Sequence, residues 1–516
     1  MTSSPELPSR LSGTEHAGRG LSVFDDNCNS GDAAQHTFDA KTEKGLAEPL
    51  AHLEDKRRTA AIMRRLDIRI LPVAALLYFF SFVDRTAIGN SKVAGMDKDL
   101  GLTEGQYELA LSCFFITYAM LEVPSNLCLR RFGARKWLPL TALPWGLLMI
   151  LTGTVQDYRG LIVCRTLLGV FEAGIAPGLA LMLSLVYPQS AIQLRIALFF
   201  AAASLGGAFG GLLAYGLSKI QTVGFDGWRW IFTIEGILTM LSAIPAYCFL
   251  CNGLEDAKGI SDDDRAYMKE RIIHDGSQGG VIEVKFKVQY IWDAFKDFKV
   301  YILACIFGLT AVPAVTFALT LPVLLNTSFG YDHIKSQLMT VPVYLLAVVG
   351  VILFACLSDR HQARILYYII AMTIALIGCL ISFKSDDPKV RYAGSFLAVP
   401  GVFAAAPCHI ALGSQNLAHK TKRGTGLAIL MTFSAIVPTT SSALFPTNEA
   451  PRYPTGHKVC ISCGVLGIAF AIAYGYALKW ENDKKRQMRE SGEAERLTRE
   501  ELIDLGDKSP YFVYRF

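Results

Sequence analysis

Arg165-Thr-Leu-Leu-Gly-Val-Phe-Glu172-Ala-Gly-Ile-Ala-Pro-Gly178 sets two opposite charges inside a helix that is otherwise apolar. Between Leu161 and Tyr187 the other ionisable groups are one cysteine and the terminal tyrosine. A helix needs roughly 20 apolar residues to cross a bilayer, and the part after Glu172 is too short to cross alone. The helix therefore carries Glu172 into the hydrocarbon and draws Arg165 in with it. Each such charge costs about 2.5–3.5 kcal/mol at the helix centre, so it is expected to face a polar cavity and to serve a function there. A seven-residue spacing is two helical turns, which puts both groups on one face roughly 10 Å apart along the axis.

Composition agrees with this beginning. Of 516 residues, 52% are hydrophobic and only 18% charged, whereas a soluble globular chain is nearer one quarter charged. The class is a polytopic all-α membrane protein. The net charge of +5 is explained by basic residues in cytoplasmic loops rather than by nucleic acid, for which the chain carries no motif. Twelve cysteines are scattered. The two close pairs, Cys248 with Cys251 and Cys460 with Cys463, lie in apolar runs at one-turn spacing and read as buried packing; no metal site is expected.

Apolar runs predict twelve spans, at about 68–90, 107–128, 136–155, 160–187, 193–218, 228–251, 299–325, 336–357, 364–383, 392–414, 424–446 and 459–480. Arg57, Arg58, Arg64 and Arg65 ahead of the first place the amino terminus inside by the positive-inside rule, and twelve spans return the carboxyl terminus there. The loops alternate accordingly, with Arg130, Arg131, Arg135 and Lys136 after span two, Arg360 and Arg364 after span eight, and Lys420, Lys422 and Arg423 after span ten. The expected organisation is a disordered cytoplasmic tail (1–63), a six-helix half (64–251), a cytoplasmic linker (252–298), a second six-helix half (299–480) and a solvated cytoplasmic tail (481–516).

Span one repeats the feature of span four. Its hydrophobic run, Ile70 to Val83, gives about 21 Å of helix against a core of about 30 Å. Asp84 and Arg85 must therefore enter the membrane, either snorkelling at the outer interface or, as the shared acid and base pattern favours, lining the cavity of Arg165 and Glu172. A carboxylate and a guanidinium in one low-dielectric cavity supply a proton site and an anion clamp.

These residues carry a family resemblance. From about Arg64 to Glu481 the chain resembles a major facilitator superfamily transporter, and more narrowly the fungal allantoate and nicotinate permease branch of the anion:cation symporter family. The marks are Asp84-Arg85 with Ile88-Gly-Asn90, Glu122-Val-Pro-Ser-Asn126, Arg131-Phe-Gly-Ala-Arg135-Lys136, Arg165 through Gly178, and Gly227-Trp-Arg-Trp230 with Phe232-Thr-Ile-Glu235-Gly236. The second half adds Leu357-Ser-Asp-Arg360, Asn416 with Lys422-Arg423, and Glu449-Ala-Pro-Arg-Tyr453. The resemblance implies two pseudo-symmetric six-helix halves rocking about a midplane cavity. It implies protonation sites at Asp84 and Glu172, a substrate-carboxylate anchor at Arg85, and a second arginine, Arg165, beside the second acid, where structural pairing is the competing reading.

The same resemblance implies gating roles for Glu122, Arg131, Arg135, Asp359 and Arg360, against which stands a plain positive-inside role for the bases and an interfacial one for Glu122. The family's usual aspartate ahead of the basic run is missing, with Cys128 and Leu129 in its place. Gly206, Gly207, Gly210 and Gly211 on span five read as close helix packing. Glu235 reads as a helix-end acid, and His409 as a structural hydrogen-bonding histidine.

The expected function is proton-coupled uptake of a small organic anion, a carboxylate such as a vitamin, ureide or sugar acid, by a monomer embedded in plasma-membrane lipid. No cofactor is expected; the proton gradient supplies the energy. A proton-antiport exporter of a fungal metabolite or drug, and a transport-deficient nutrient sensor, are the alternatives. No enzyme reading is supported, since the chain shows no nucleotide loop, clustered metal ligands or hydrolytic triad spacing.

Overall fold

The computed structural model describes residues 30–218, 220, 226–276, 287–329, 333–436, 449 and 454–516. The chain divides into two compact units, Met1–Ala60 and Ala61–Phe516. In the first, the residues from Ser30 onward are helical, where composition points to a disordered tail. The cause is local: Ala, Leu, Glu, Lys and Arg dominate 40–60, and all are strong helix formers. Residues 1–29 of the expected tail lie outside the described residues.

The second unit is helical, with no strand among the described residues. Its first half takes the later part of α1 (Ser30–Val93), then α2 (Met96–Asp99), α3 (Glu104–Phe132), α4 (Ala134–Thr152), α5 (Tyr158–Glu172), α6 (Ile175–Val186), α7 (Ile192–Ser218) and α8 (Gly227–Phe249). α9 (Asp262–Gly276) and α10 (Gln289–Lys296) form the described part of the linker. The second half comprises α11 (Phe298–Phe329), α12 (His333–His361), α13 (Arg364–Lys384), α14 (Pro388–Asn416), α15 (Lys420–Ile436) and α16 (Pro454–Glu490), and α17 (Arg499–Leu505) lies in the carboxy-terminal segment. Every expected span falls on a helix. The fourth uses α5 and α6 together, and residues 437–446 of the eleventh lie outside the described residues. Among the described residues nine helices are long and apolar enough to cross a membrane, or ten if α10 and the first part of α11, bent by 60°, count as one span.

Local chemistry sets the helix ends. Thr103 and Gln106 form a reciprocal capping box at the start of α3, which satisfies two otherwise orphaned amides. Gly133 ends α3 at φ 84°, a conformation that only glycine adopts without strain, and turns the chain directly into α4. The Asp157 side chain accepts from the Gly160 amide to cap α5, and Asp387 caps α14 through the Lys389 amide with Pro388 at its first position. Large apolar side chains such as Met120, Ile244, Val349 and Tyr476 face outward. An apolar exterior of this kind is stable only in lipid.

The carboxy-terminal segment departs from the expected solvated tail. Asp507, Phe512 and Tyr514 are buried against the linker-side ends of the second half. Lys422 Nζ donates to Asp297 Oδ2 at 2.7 Å and to Asp507 at 2.9 Å, Lys299 Nζ donates to the Tyr514 hydroxyl at 2.7 Å, and Asn416 and Asn482 bind the backbone of Arg515 and Tyr514. Lys485 Nζ donates to the Phe512 carbonyl at 3.0 Å, so the buried Asp507 carboxylate, bonded by Lys422, lies among three lysine side chains that compensate its burial.

Candidate functional site

The site lies where α1, α5 and α8 meet inside the first half. α5 reaches this position because glycine lets it approach α3. A Cβ on Gly169 would lie 2.4 Å from the Phe114 carbonyl oxygen, and one on Gly174 would lie 2.0 Å from Ser125 Oγ. The helix is interrupted at Ala173 and Gly174, directly after Glu172. Gly206 and Gly210 of α7 likewise meet α1 at Phe79, Phe82 and Thr86, while Gly207 meets Tyr344 of the other half. α4 and α8 cross backbone to backbone at Gly146 and Gly236.

Glu172 is fully buried and pairs with α1. Arg85 Nε donates to its Oε1 at 2.7 Å, and Ser81, one turn earlier on the same face, donates to the same oxygen at 2.6 Å. The Arg85 guanidinium also lies over the Tyr118 ring, 4.5 Å from its centroid, a favourable placement for a partly desolvated cation. Arg85 is the more accessible partner, with 23% of its side chain exposed against none for Glu172. Asp84 is buried and its Oδ2 accepts from the Thr239 hydroxyl at 3.1 Å. Arg165 is 2% exposed, lies 5.5 Å from the centre of the Phe232 ring, and leaves Nε and Nη2 without hydrogen-bond partners.

Asp84, Arg85, Arg165 and Glu172 therefore converge in one interior region, but the pairing is not the one that helical spacing suggests. Glu172 is held by Arg85 across two helices, and Arg165, on its own helix, donates no hydrogen bond to it. Ser81 and Thr239 escaped sequence reasoning. Ser81 had a legible signal, standing four residues before Arg85; Thr239 had none.

The expected gating residues separate into two groups. Glu122 is buried and its Oε2 accepts from Thr432 of α15 at 2.6 Å, across the two halves. Asp359 accepts from the Leu194 amide at 2.9 Å and from Arg364 Nη1 at 3.0 Å. Arg131 and Arg360 are exposed, and Arg135 fastens the α3–α4 turn to the end of α8 by donating to the Tyr247 carbonyl at 3.1 Å. The half-to-half contacts on the linker side centre on Arg364 instead. Its buried guanidinium donates to Gln415 Oε1 and Gln193 Oε1, each at 2.7 Å, and to the Gln189 carbonyl at 3.2 Å. Asn126 donates to the Gly424 carbonyl at 2.6 Å, and Arg423 to the Ser184 carbonyl at 3.2 Å. The two halves are thus closed against each other on the linker side. His409 is packed against Phe307 and Tyr368, with Nδ1 3.1 Å from the Ala406 carbonyl, a structural setting.

Comparison with known proteins places this arrangement. A sequence profile of the Major Facilitator Superfamily matches residues 74–441. The chain is 33% identical over 485 residues to the MFS-type transporter cnsO of Penicillium expansum, covering 90% of this chain and 93% of that one. It is 32% identical over 481 residues to the high-affinity nicotinic acid transporter of Saccharomyces cerevisiae, covering 92% and 87%. The solved structure of the proton:xylose symporter XylE superposes with a TM-score of 0.61 at 15% identity, covering 80% of this chain and 95% of that one, a likeness of fold. The chain belongs to the major facilitator superfamily and is a multi-pass membrane protein, a secondary transporter whose helices match the expected pattern of twelve spans in two halves.

Proposed function

We propose that this transporter carries a small organic anion together with protons, as a member of the anion:cation symporter branch working by alternating access. The observation that carries the reading is the buried Arg85–Glu172 pair with Ser81 on the same oxygen. Ionised Glu172 occupies Arg85; a proton on Glu172 cancels that attraction and releases a guanidinium, which is planar and suited to a carboxylate. Proton binding and anion binding then favour each other, and the coupling is reciprocal by linkage. Asp84, facing Arg165, is the second proton site, and Arg165 the second base in contact with the anion. The relative named a nicotinic acid transporter supports a carboxylate as cargo.

Energetics favour the same assignment. A monoanion entering alone works against an inside-negative potential of about 2.3 kcal/mol per charge per 100 mV. One proton makes the step electroneutral and two let the potential drive it, while each pH unit adds about 1.36 kcal/mol per proton. We take the face bearing α9, α10 and the carboxy-terminal segment as cytoplasmic, supported by Arg64, Arg65, Lys420, Lys422 and Arg423 near it, with both termini inside, the plasma membrane as the site of action and the monomer as the working unit. The Glu122–Thr432, Asp359–Leu194 and Arg364–Gln193 contacts then form the inner gate.

The test is uptake of radiolabelled nicotinate and other small carboxylates into vesicles with an imposed pH gradient. Wild type accumulates one of them uphill, and Asp84→Asn and Glu172→Gln abolish the accumulation while leaving downhill entry. Uphill accumulation that survives in both variants refutes the proton assignment.

A further inference from the structure

The Arg85–Glu172 pair leaves Arg165 as the base available to the other buried acids around it, and there are two. Asp84 and Glu235 both act on the Arg165 charge, as does Glu172 from the same helix. Glu235 stands on α8 one turn before Thr239, is fully buried, and has neither carboxyl oxygen in a hydrogen bond. Asp84 holds the Thr239 hydroxyl on Oδ2.

The neighbouring helices bring no further compensation. α4 contributes the Trp145 indole beside Asp84, its own charged residues Arg135 and Lys136 lying at its start. The one charged residue of α7, Arg195, is bound by Asp67 at 2.7 Å. α3 brings the Tyr107 ring toward Arg165 and Glu122 toward Arg85. Around Arg165 two acids therefore share one base. Two ionised carboxylates beside one guanidinium leave an uncompensated charge in a low-dielectric interior, and like charges that share a site do not ionise together.

We propose that Asp84 and Glu235 form a two-carboxylate site that holds one proton between them, with Arg165 as the shared counter-charge and the proton on Glu235 while the linker side is closed. The asymmetry follows from hydrogen bonding. An anion with no donor on either oxygen bears its full desolvation cost, whereas the hydroxyl on Asp84 stabilises its ionised form. The unit is one titrating group in the thermodynamic sense, with its proton belonging to the pair. This deepens the proton-coupling reading by giving Asp84 a partner on α8, so that protonating one member obliges the other to take Arg165. Its transport consequence rests on that reading, but its protonation state does not.

Infrared difference spectroscopy of the purified full-length transporter, without substrate at neutral pH, tests it directly. Glu235→Gln loses the area of one protonated-carboxyl band relative to wild type. Asp84→Asn loses the same band, because the single remaining acid ionises against Arg165, and Glu172→Gln keeps it. Retention of the band in either Glu235→Gln or Asp84→Asn overturns the shared site. If Glu235→Gln does not fold, Glu235→Asp must shift the band, and an unmoved band is equally fatal. Failure of gradient-driven uptake with this band pattern intact refutes symport and leaves the paired acid standing.

Discussion

Glu172 is held by a serine hydroxyl and a guanidinium from a helix far away in sequence, and both bonds end on one oxygen. Oε2 has no partner, so this carboxylate has a free site for a proton beside the arginine that the proton would liberate. The anchoring role proposed for Arg85 rests on geometry as well as charge. The Arg85 guanidinium carbon lies 4.5 Å from the centre of the Tyr118 ring, and Nη2 has no hydrogen-bond partner, which leaves a donor for a second acceptor. Arg85→Lys keeps the charge and loses the fork, and with it a hydrogen bond to a charged group worth about 1.5 kcal/mol. The concentration of anion that half-saturates uptake should rise about tenfold by the same free-energy conversion. Equal half-saturation in Arg85→Lys and wild type moves the anchor to another residue. The four charges themselves stood out in the sequence because each interrupts an apolar run. Their pairing did not, since a spacing along one helix says nothing about which neighbouring helix supplies the counter-charge.

The interrupted fourth span owes its position to close packing rather than to its charges. Gly169 sits where a Cβ would meet the Phe114 carbonyl at 2.4 Å and Thr117 Oγ1 at 2.2 Å, and a backbone carbonyl cannot rotate away. Gly169→Ala therefore forces α5 off α3, an overpacking strain of about 1–3 kcal/mol, and tilts Glu172 away from Arg85. A lower midpoint in detergent thermal unfolding is expected, against Gly216→Ala as control, where nothing lies within 4 Å. Equal midpoints for the two variants would remove the packing argument. The same element-level logic corrects the basic loop after the second span. Arg135 holds α4 to α8 within one half, and the half-to-half closure belongs to Arg364, which the sequence presents only as a loop charge.

Across the molecule, the carboxy-terminal segment binds the ends of α11, α14, α15 and α16 and the linker into one face. Asp507 anchors it. Burial alone would raise its carboxyl, but Lys422, Lys299 and Lys485 overcome that and hold it below the usual carboxylate range. A carboxyl lowered on folding contributes stability that is fully present above its unfolded pKa and is lost as pH falls through its folded value. Docking of 499–516 is thus expected to be intact at neutral pH and to weaken on acidification below the ordinary aspartate range. Asp507→Asn, which cannot ionise, should show looser docking at neutral pH and no such acid step. Limited proteolysis of the carboxy-terminal segment across pH measures this, and identical cleavage profiles in the two proteins refute it. Nothing in the local sequence of this segment announced its burial, because its partners are lysines on three separate helices and asparagines on two, all remote in sequence.

The sequence by itself determined the class, the positions of the apolar spans and the identity of the charges in the membrane. Hydrocarbon imposes a length and polarity rule on every span, and any exception to that rule is visible residue by residue. Only the tertiary structure decided which base faces which acid, that Arg364 rather than Arg360 closes the linker side, that Glu235 is buried without a hydrogen bond, and that the carboxy-terminal segment docks. Each of those depends on distances between helices remote in sequence, set by glycine contacts and by the direction in which a buried side chain finds its partner.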